Sequence, residues 1–256
     1  MAILRVEIDG AAATAEALAY PAAVNYGHFS ALRVRGGAVR GLDLHLARLD
    51  AASRELFDTG LAGERVRECV RHALGDDLLD AFVRVVVFQP DEAAEPSVMV
   101  VVRPPTERPV AAQRLTAVPY LRPVAHLKHV GGFGQLHYGR VAKRAGFDEA
   151  LLTGQDGLVS EGAITNIGFF DGTALVWPQA PSLAGITMQL LTRAVRVPVR
   201  HQPVRLTDLA AFRCAFLTNS LGVVGVERVD ELVLPTDADF LRDLNETYES
   251  VPLDQI

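Results

Sequence analysis

The sequence predicts an α+β protein of two domains, on three observations. Short β-branched runs such as FVRVVVF and SVMVVVRP alternate in the manner of paired strands. Segments with 3.6-residue periodicity sit between such runs rather than replacing them. The stretch RPPTERP, residues 103–109, carries three prolines and mixed charge with no periodicity, which marks a linker. The expected division is therefore an N-terminal α+β domain at 1–108 and a larger, β-rich domain at 109–256.

In the first half, ILRVEID alternates like a strand. HFSALRV and AVRGL flank Gly36-Gly37 and read as a hairpin, because two glycines suit a two-residue turn. From Asp43, LDLHLARLDAASRELF places Leu42, Leu46, Leu49 and Ala52 on one helical face. AGERVRECVRHAL is a second amphipathic helix. Beyond the linker, LTAVPYL is a strand and LHYGRVAKRAG a short helix closed by Gly146. EALLTG, GLVSEG, ITNIGFF and TALVWP follow as short strands. GITMQLLTRAV opens a helix, CAFLTNSLGVVGVERV gives two strands about a small-residue turn, and ADFLRDLNETYES is an acidic helix with a solvated face.

A chain of 256 residues, 49% hydrophobic and 22% charged, is long enough for two cores. The formal net charge of -6 argues against a nucleic-acid footprint. Cys69 and Cys214 lie far apart and read as buried thiols of a reducing compartment, not as a disulfide framework. No apolar run reaches membrane length and MAILRVEIDG lacks a signal-peptide pattern, so the expected location is cytoplasmic. Metal-ligand spacing, a P-loop and a Gly-x-Ser-x-Gly elbow are all missing from the sequence.

One residue stands out by its chemistry. The 25 Lys and Arg residues include only two lysines, Lys128 and Lys143, and Lys128 lies in the apolar, Gly-rich run HLKHVGGFGQLHY. Lysine, unlike arginine, loses its proton when desolvated and becomes a nucleophilic amine. The alternative is a lone surface lysine. Lys143, in AKRAGFDE, reads as an exposed helix end. Other features are open to two readings each. Gly185-Ile186-Thr187 is either an ordinary helix start or a set of free amides with a hydroxyl for a phosphate. TNSLG at 218–222 is either a turn or a second cradle. His45 and Arg48 share a helix face, and Glu161 in SEGAITNI reads by itself as solvent-facing.

The order of these pieces, HLARL, LKH, GFDEALLTGQDGLVSEGAITNIGFFDG, GIT and FLTNSL, resembles the class IV pyridoxal-phosphate aminotransferases. That group includes branched-chain and D-amino-acid aminotransferases and aminodeoxychorismate lyase. The resemblance runs from Tyr26 to Asp230 and is most specific in GFDEALLTGQDGLVSEGAITNI. It implies a two-domain fold-type-IV enzyme, a homodimer, and pyridoxal 5′-phosphate as cofactor. It further implies Lys128 as the Schiff-base lysine and general base, and Glu161 as partner of the pyridine nitrogen. Arg48, the Ile186 and Thr187 amides with the Thr187 hydroxyl, and Ser220 with Leu221 would bind the phosphate; Asn166 joins this cofactor set. His126 and His129 are left as structural neighbours. The Lys128-to-Glu149 spacing is closer to the lyase and D-amino-acid branches.

The chain also departs from the pattern. Phe29-Ser30-Ala31 stands for the usual Phe-Glu-Thr strand, and Phe88-Gln89-Pro90 replaces an Arg-Gly loop that often binds carboxylate. Met188 follows GIT where Arg is common, and Phe133 replaces a tyrosine. Tyr26, His28 and Arg33 are candidates to recognise substrate carboxylate, with core or surface roles as their alternatives. The resulting expectation is an amino-acid transaminase working on small amino and keto acids. Aminodeoxychorismate lyase and a non-catalytic homologue are the competing readings.

Overall fold

The computed structural model describes residues 2–256. The chain forms two compact units, one comprising Met1–Thr106, Leu127–Gly131 and Pro252–Ile256, the other Glu107–His126 and Gly132–Val251.

The first unit contains β1 (Arg5–Ile8), β2 (Ala11–Ala12), α1 (Ala15–Ala23), β3 (His28–Val34), β4 (Ala38–Arg40), α2 (Leu42–Phe57), α3 (Gly63–Leu74), β5 (Ala81–Phe88) and β6 (Ser97–Arg103). Its antiparallel sheet has the order β2-β1-β6-β5-β3. Alternation decides which face is covered. Val83, Val85 and Val87 on β5 and Val98, Val100 and Val102 on β6 are fully buried. They join Leu49, Val66, Val70 and Ala73 of α2 and α3 in one core. The opposite face carries Phe29, Arg33, Phe82, Arg84 and Arg103, all half-buried.

Two expectations need correction here. Gly36 and Gly37 do make the tight turn, with φ of 56° and 74° and reciprocal Arg35–Ala38 backbone bonds. The hairpin stops at that bridge, because β4 pairs instead with the C-terminal strand Leu253–Gln255. Helix α1 is absent from the sequence reading. Pro21 inside it and the lack of any buried residue remove the amphipathic signal, while the Thr14 hydroxyl caps it by accepting from Ala17 N at 3.1 Å.

The second unit contains β7 (Gln113–Pro119), α4 (Phe133–Arg144), β8 (Glu149–Thr153), β9 (Val159–Gly162), β10 (Asn166–Phe170), β11 (Leu175–Pro178), α5 (Ile186–Ala194), β12 (Val199–Gln202), a 3-10 turn (Leu206–Ala211), β13 (Cys214–Asn219), β14 (Gly222–Val229), β15 (Leu232–Val233) and α6 (Ala238–Ser250). The label β16 falls to Leu253–Gln255 of the first unit. The sheet runs β12-β11-β10-β13-β14-β7-β8-β9 and is mixed, with β7 parallel to both β14 and β8. Strands β8 to β11 are buried along their whole length, their polar residues Glu149, Thr153, Ser160, Glu161 and Asn166 included. Helix α6 is not wholly a solvated face: Leu244 and Tyr248 are buried. No described helix is long and apolar enough to cross a membrane.

Candidate active site

Within the first unit, Lys128 belongs to the short segment 127–131, which docks along β3. The Lys128 carbonyl accepts from Phe29 N at 2.8 Å, Val130 N donates to Gly27 O at 2.9 Å, and His129 bridges His28. The lysine side chain is thereby laid on the half-exposed face of β3, with Nζ 4.9 Å from the Phe29 ring centroid. The same ring carries Arg84, whose guanidinium carbon is 3.7 Å from the centroid. Arg84 Nε is buried without a hydrogen-bond partner, and burial, then Arg103, lowers its pKa.

On the covered face of the same strand lies a second polar group. Arg48, from α2, donates through Nη2 to Ser30 Oγ, and Ser30 Oγ is 2.6 Å from His45 Nδ1. Helix α2 places His45 and Arg48 three residues apart, so both reach β3 from one face. Desolvation lowers the Arg48 pKa to about 10, and its Nε has no partner. Burial, Arg48 and Lys128 together hold the His45 pKa well below its ordinary value.

His28 lies deeper. It is 1% exposed, its Nε2 is 2.9 Å from Ser53 Oγ, and burial followed by Arg48 lowers its pKa to about 4. That environment makes His28 a core residue rather than a substrate contact. Tyr26 is half exposed and donates to Leu56 O at 3.2 Å. Arg33 shares the half-exposed face of β3 with Phe29.

Within the second unit, Glu161 is 4% exposed, contrary to the reading of a solvent-facing carboxylate. Arg122 donates from Nε to Glu161 Oε1 at 2.7 Å, and Leu183 N donates to Oε2 at 3.2 Å. Arg122 also donates to the Ala125 carbonyl across a turn that holds Val124 at φ 41°, a rare conformation for a β-branched residue. Asn166 takes the other side of Leu183, its amide donating to Leu183 O at 2.7 Å. Glu161 and Asn166 thus fix both backbone groups of one residue, two positions before Gly185.

Gly185 caps α5 without a side-chain bond, which leaves the first amides, including Ile186 and Thr187, free of intrahelical acceptors. The Thr187 hydroxyl donates to Asn219 O at 2.7 Å, and Asn219 Oδ1 accepts from Leu221 N at 2.8 Å. Asn219 therefore ties the start of α5 to the turn bearing Ser220 and Leu221. Arg122, Leu183 and Asn219 were missed by sequence reasoning. An arginine flanked by proline in an otherwise apolar run, PYLRPVAHL, is the one signal that pointed to Arg122.

The chemistry of these groups fits pyridoxal phosphate. Arg48 is a half-buried cation whose Nε is buried without a hydrogen-bond partner, Lys128 is a lysine on an aromatic face, and Glu161 is a buried, oriented carboxylate.

Comparison with known proteins agrees. The family described as Amino-transferase class IV matches residues 27–229. Among solved structures, branched-chain aminotransferase from Thermoproteus uzoniensis with norvaline superposes with a TM-score of 0.83 at 20% identity, over 97% of this chain and 94% of that one. Escherichia coli branched-chain amino acid aminotransferase gives 0.83 at 19%, over 99% of both chains. A putative 4-amino-4-deoxychorismate lyase from Legionella pneumophila gives 0.79 at 20%, over 89% of this chain and 92% of that one. No curated protein matches by sequence. The chain belongs to the class IV aminotransferases and is a pyridoxal-phosphate-dependent enzyme of the fold-type-IV kind.

Proposed function

We propose that this enzyme transfers an amino group between small amino and keto acids, with Lys128 as its catalytic residue. The observation that carries the reading is the lysine itself: one of two in the chain, it is laid by backbone bonds beside β3 with its amine over Phe29. Pyridoxal phosphate supplies an electrophilic aldehyde and a ring that takes up electrons released at the substrate α-carbon. Lys128 Nζ would hold the cofactor at its aldehyde and would move the substrate α-proton as general base. Glu161 would pair with the ring nitrogen and favour its protonated form. Arg48, the Ile186 and Thr187 amides, and Ser220 with Leu221 would bind the phosphate, with Asn166 supporting them by fixing the approach to α5.

Substrate recognition on this reading passes to Arg84. Its guanidinium shares the Phe29 ring with Lys128, and its buried, unpaired Nε suits a carboxylate. Arg33 on the same face of β3 adds positive potential, and Tyr26 lines the approach. We further propose a cytoplasmic homodimer.

Borohydride reduction of the cofactor-loaded enzyme, followed by peptide mass mapping, tests the reading. Label on Lys128, with keto acid formed from an accepted amino donor, is the expected result. Label on Lys143, or on neither, overturns the site. Pyruvate released from aminodeoxychorismate without amino transfer would instead mark a lyase.

A further inference from the structure

We propose that Glu149 is a positioning residue for Glu161 and Asn166: one of its carboxyl oxygens clamps the turn 162–165 that joins them, and so fixes their spacing around Leu183. The inference rests on Glu161 and Asn166 belonging to the cofactor set, as argued above.

Glu149 opens β8 and is buried. In the antiparallel pairing of β8 with β9, Gly162 stands opposite Leu151, so Glu149 lies beyond the end of β9, beside the turn. Its Oε1 accepts from Ile164 N at 2.9 Å and from Thr165 Oγ1 at 2.9 Å. Gly162 N closes the turn by donating to Thr165 O at 2.9 Å, and Ala163 N ties it to β8 by donating to Ala150 O at 3.0 Å. The run from Glu161 to Asn166 follows from this arrangement. Gly162 leaves room for the carboxyl, since a Cβ there would lie 2.6 Å from Glu149 Oε1, and Thr165 supplies a hydroxyl donor. Polar groups removed from water need partners, and one oxygen of Glu149 serves two of them.

The effect of the clamp reaches Leu183. Glu161, just before the turn, accepts from Leu183 N at 3.2 Å, and Asn166, just after it, donates to Leu183 O at 2.7 Å. One residue is thus gripped from both ends of the turn, and both grips hold only while the turn keeps its width. Without the Oε1 acceptor, Ile164 N and the Thr165 hydroxyl must find other partners, and Glu161 shifts against Asn166. Burial, the largest influence, raises the Glu149 pKa and the charge of Glu161 adds to it, whereas the bonds from Ile164 and Thr165 and the charge of Lys143 oppose the rise. Oε1 accepts whether or not Oε2 carries a proton, so the clamp requires an acceptor and not a charge.

The test joins amide hydrogen exchange of the apo protein to turnover of the cofactor-loaded enzyme, for Glu149→Met, Glu149→Gln, Thr165→Val and Glu161→Gln. In Glu149→Met, exchange at Ile164 and at Leu183 should each rise roughly tenfold beyond any rise in the β10–β13 ladder. Turnover should fall roughly tenfold with KM little changed. Glu149→Gln, which keeps the acceptor, restores both. Thr165→Val removes one donor and leaves the carboxyl, so it gives the same pattern at smaller amplitude, and its readings decide the matter where Glu149→Met fails to fold. Faster exchange at Ile164, with Leu183 moving only as the ladder does, would show a locally structural glutamate and overturn the proposal. So would normal turnover in Glu149→Met beside a loss in Glu161→Gln, or a Glu149→Gln variant as impaired as Glu149→Met. Normal turnover in Glu161→Gln, whatever the exchange rates, removes Glu161 from the catalytic set, and the proposal with it.

Discussion

Arg122 Nε donates to Glu161 Oε1 at 2.7 Å, and the two side chains are only 5% and 6% exposed. The carboxylate that faces the cofactor ring on the proposed reading is thus paired with a cation inside its own unit. Removing one partner leaves the other buried and uncompensated. Arg122→Met should destabilise the apo protein by about 3–5 kcal/mol, whereas Arg122→Met with Glu161→Leu should recover most of that loss. Urea unfolding of the two single variants and the double variant gives the coupling energy. Additive losses would show that the pair contributes little beyond its separate contacts.

Glu161→Gln separates holding the cofactor from using it. The amide keeps the shape and a hydrogen bond but removes the negative charge that favours a protonated ring. Cofactor content should stay near normal while turnover falls on the order of a hundredfold or more. Single-turnover absorbance with an accepted amino donor, beside a cofactor titration, reads the two effects apart. Wild-type turnover in a variant with normal cofactor content would remove Glu161 from the catalytic set.

Gly185 meets Asn166 without room for a side chain. A Cβ there would lie 1.9 Å from Asn166 Oδ1, and Asn166 cannot turn away without releasing Leu183 O. Gly185→Ala should cost about 1–3 kcal/mol of stability and weaken cofactor binding through the displaced start of α5. Asn166→Ala in the same chain removes the clash, so thermal melting should show the double variant less destabilised than the sum of its parts.

His28 sets a pH dependence whose sign follows from its burial. Neutral His28 places its proton on Nε2 toward Ser53, and Nδ1, buried without a partner, is tolerable only as an acceptor. Protonation would create an unpaired buried donor and a charge near Arg48, hence the lowering from 6.5 to about 4. Between these values the unfolded chain binds more protons than the folded one. The His28 contribution is therefore complete above pH 6.5 and is lost as pH falls toward 4, an effect of about 3 kcal/mol. His45 adds in the same direction. Urea midpoints at pH 7, 6 and 5 should fall more steeply for the native protein than for His28→Gln, and equal slopes would refute the assignment.

Local pattern made much of this legible in the sequence. The β5 and β6 runs alternate visibly, α2 buries Leu42, Leu49 and Ala52 as its periodicity requires, and Gly36-Gly37 announces its turn. What the sequence hid depends on distant partners. Nothing near Ala38 reveals that β4 pairs with residues more than two hundred positions later. Glu161 looked solvent-facing because its cation, Arg122, comes from a separate loop. The Ser30 hydroxyl gains meaning only when α2 brings His45 and Arg48 onto β3. Charge burial is a property of tertiary pairing, and one-dimensional spacing carries little of it.

The pairing of β16 with β4 also constrains how the protein is made. Leu253–Gln255 leave the ribosome more than two hundred residues after β4, yet they pair with Ala38–Arg40 in the first unit. Leu127–Gly131, which carry Lys128, also join that unit only after the linker has been translated. Vectorial synthesis normally lets an N-terminal body settle before the rest appears. Here the early body waits for two later instalments, and the sequence separation of those contacts slows closure. Until Leu253–Gln255 have been made, the nascent chain exposes an unpaired β4 edge, a template for association with other chains. Chains stopped just before Leu253 should for that reason be translated in full measure but recovered poorly as soluble protein.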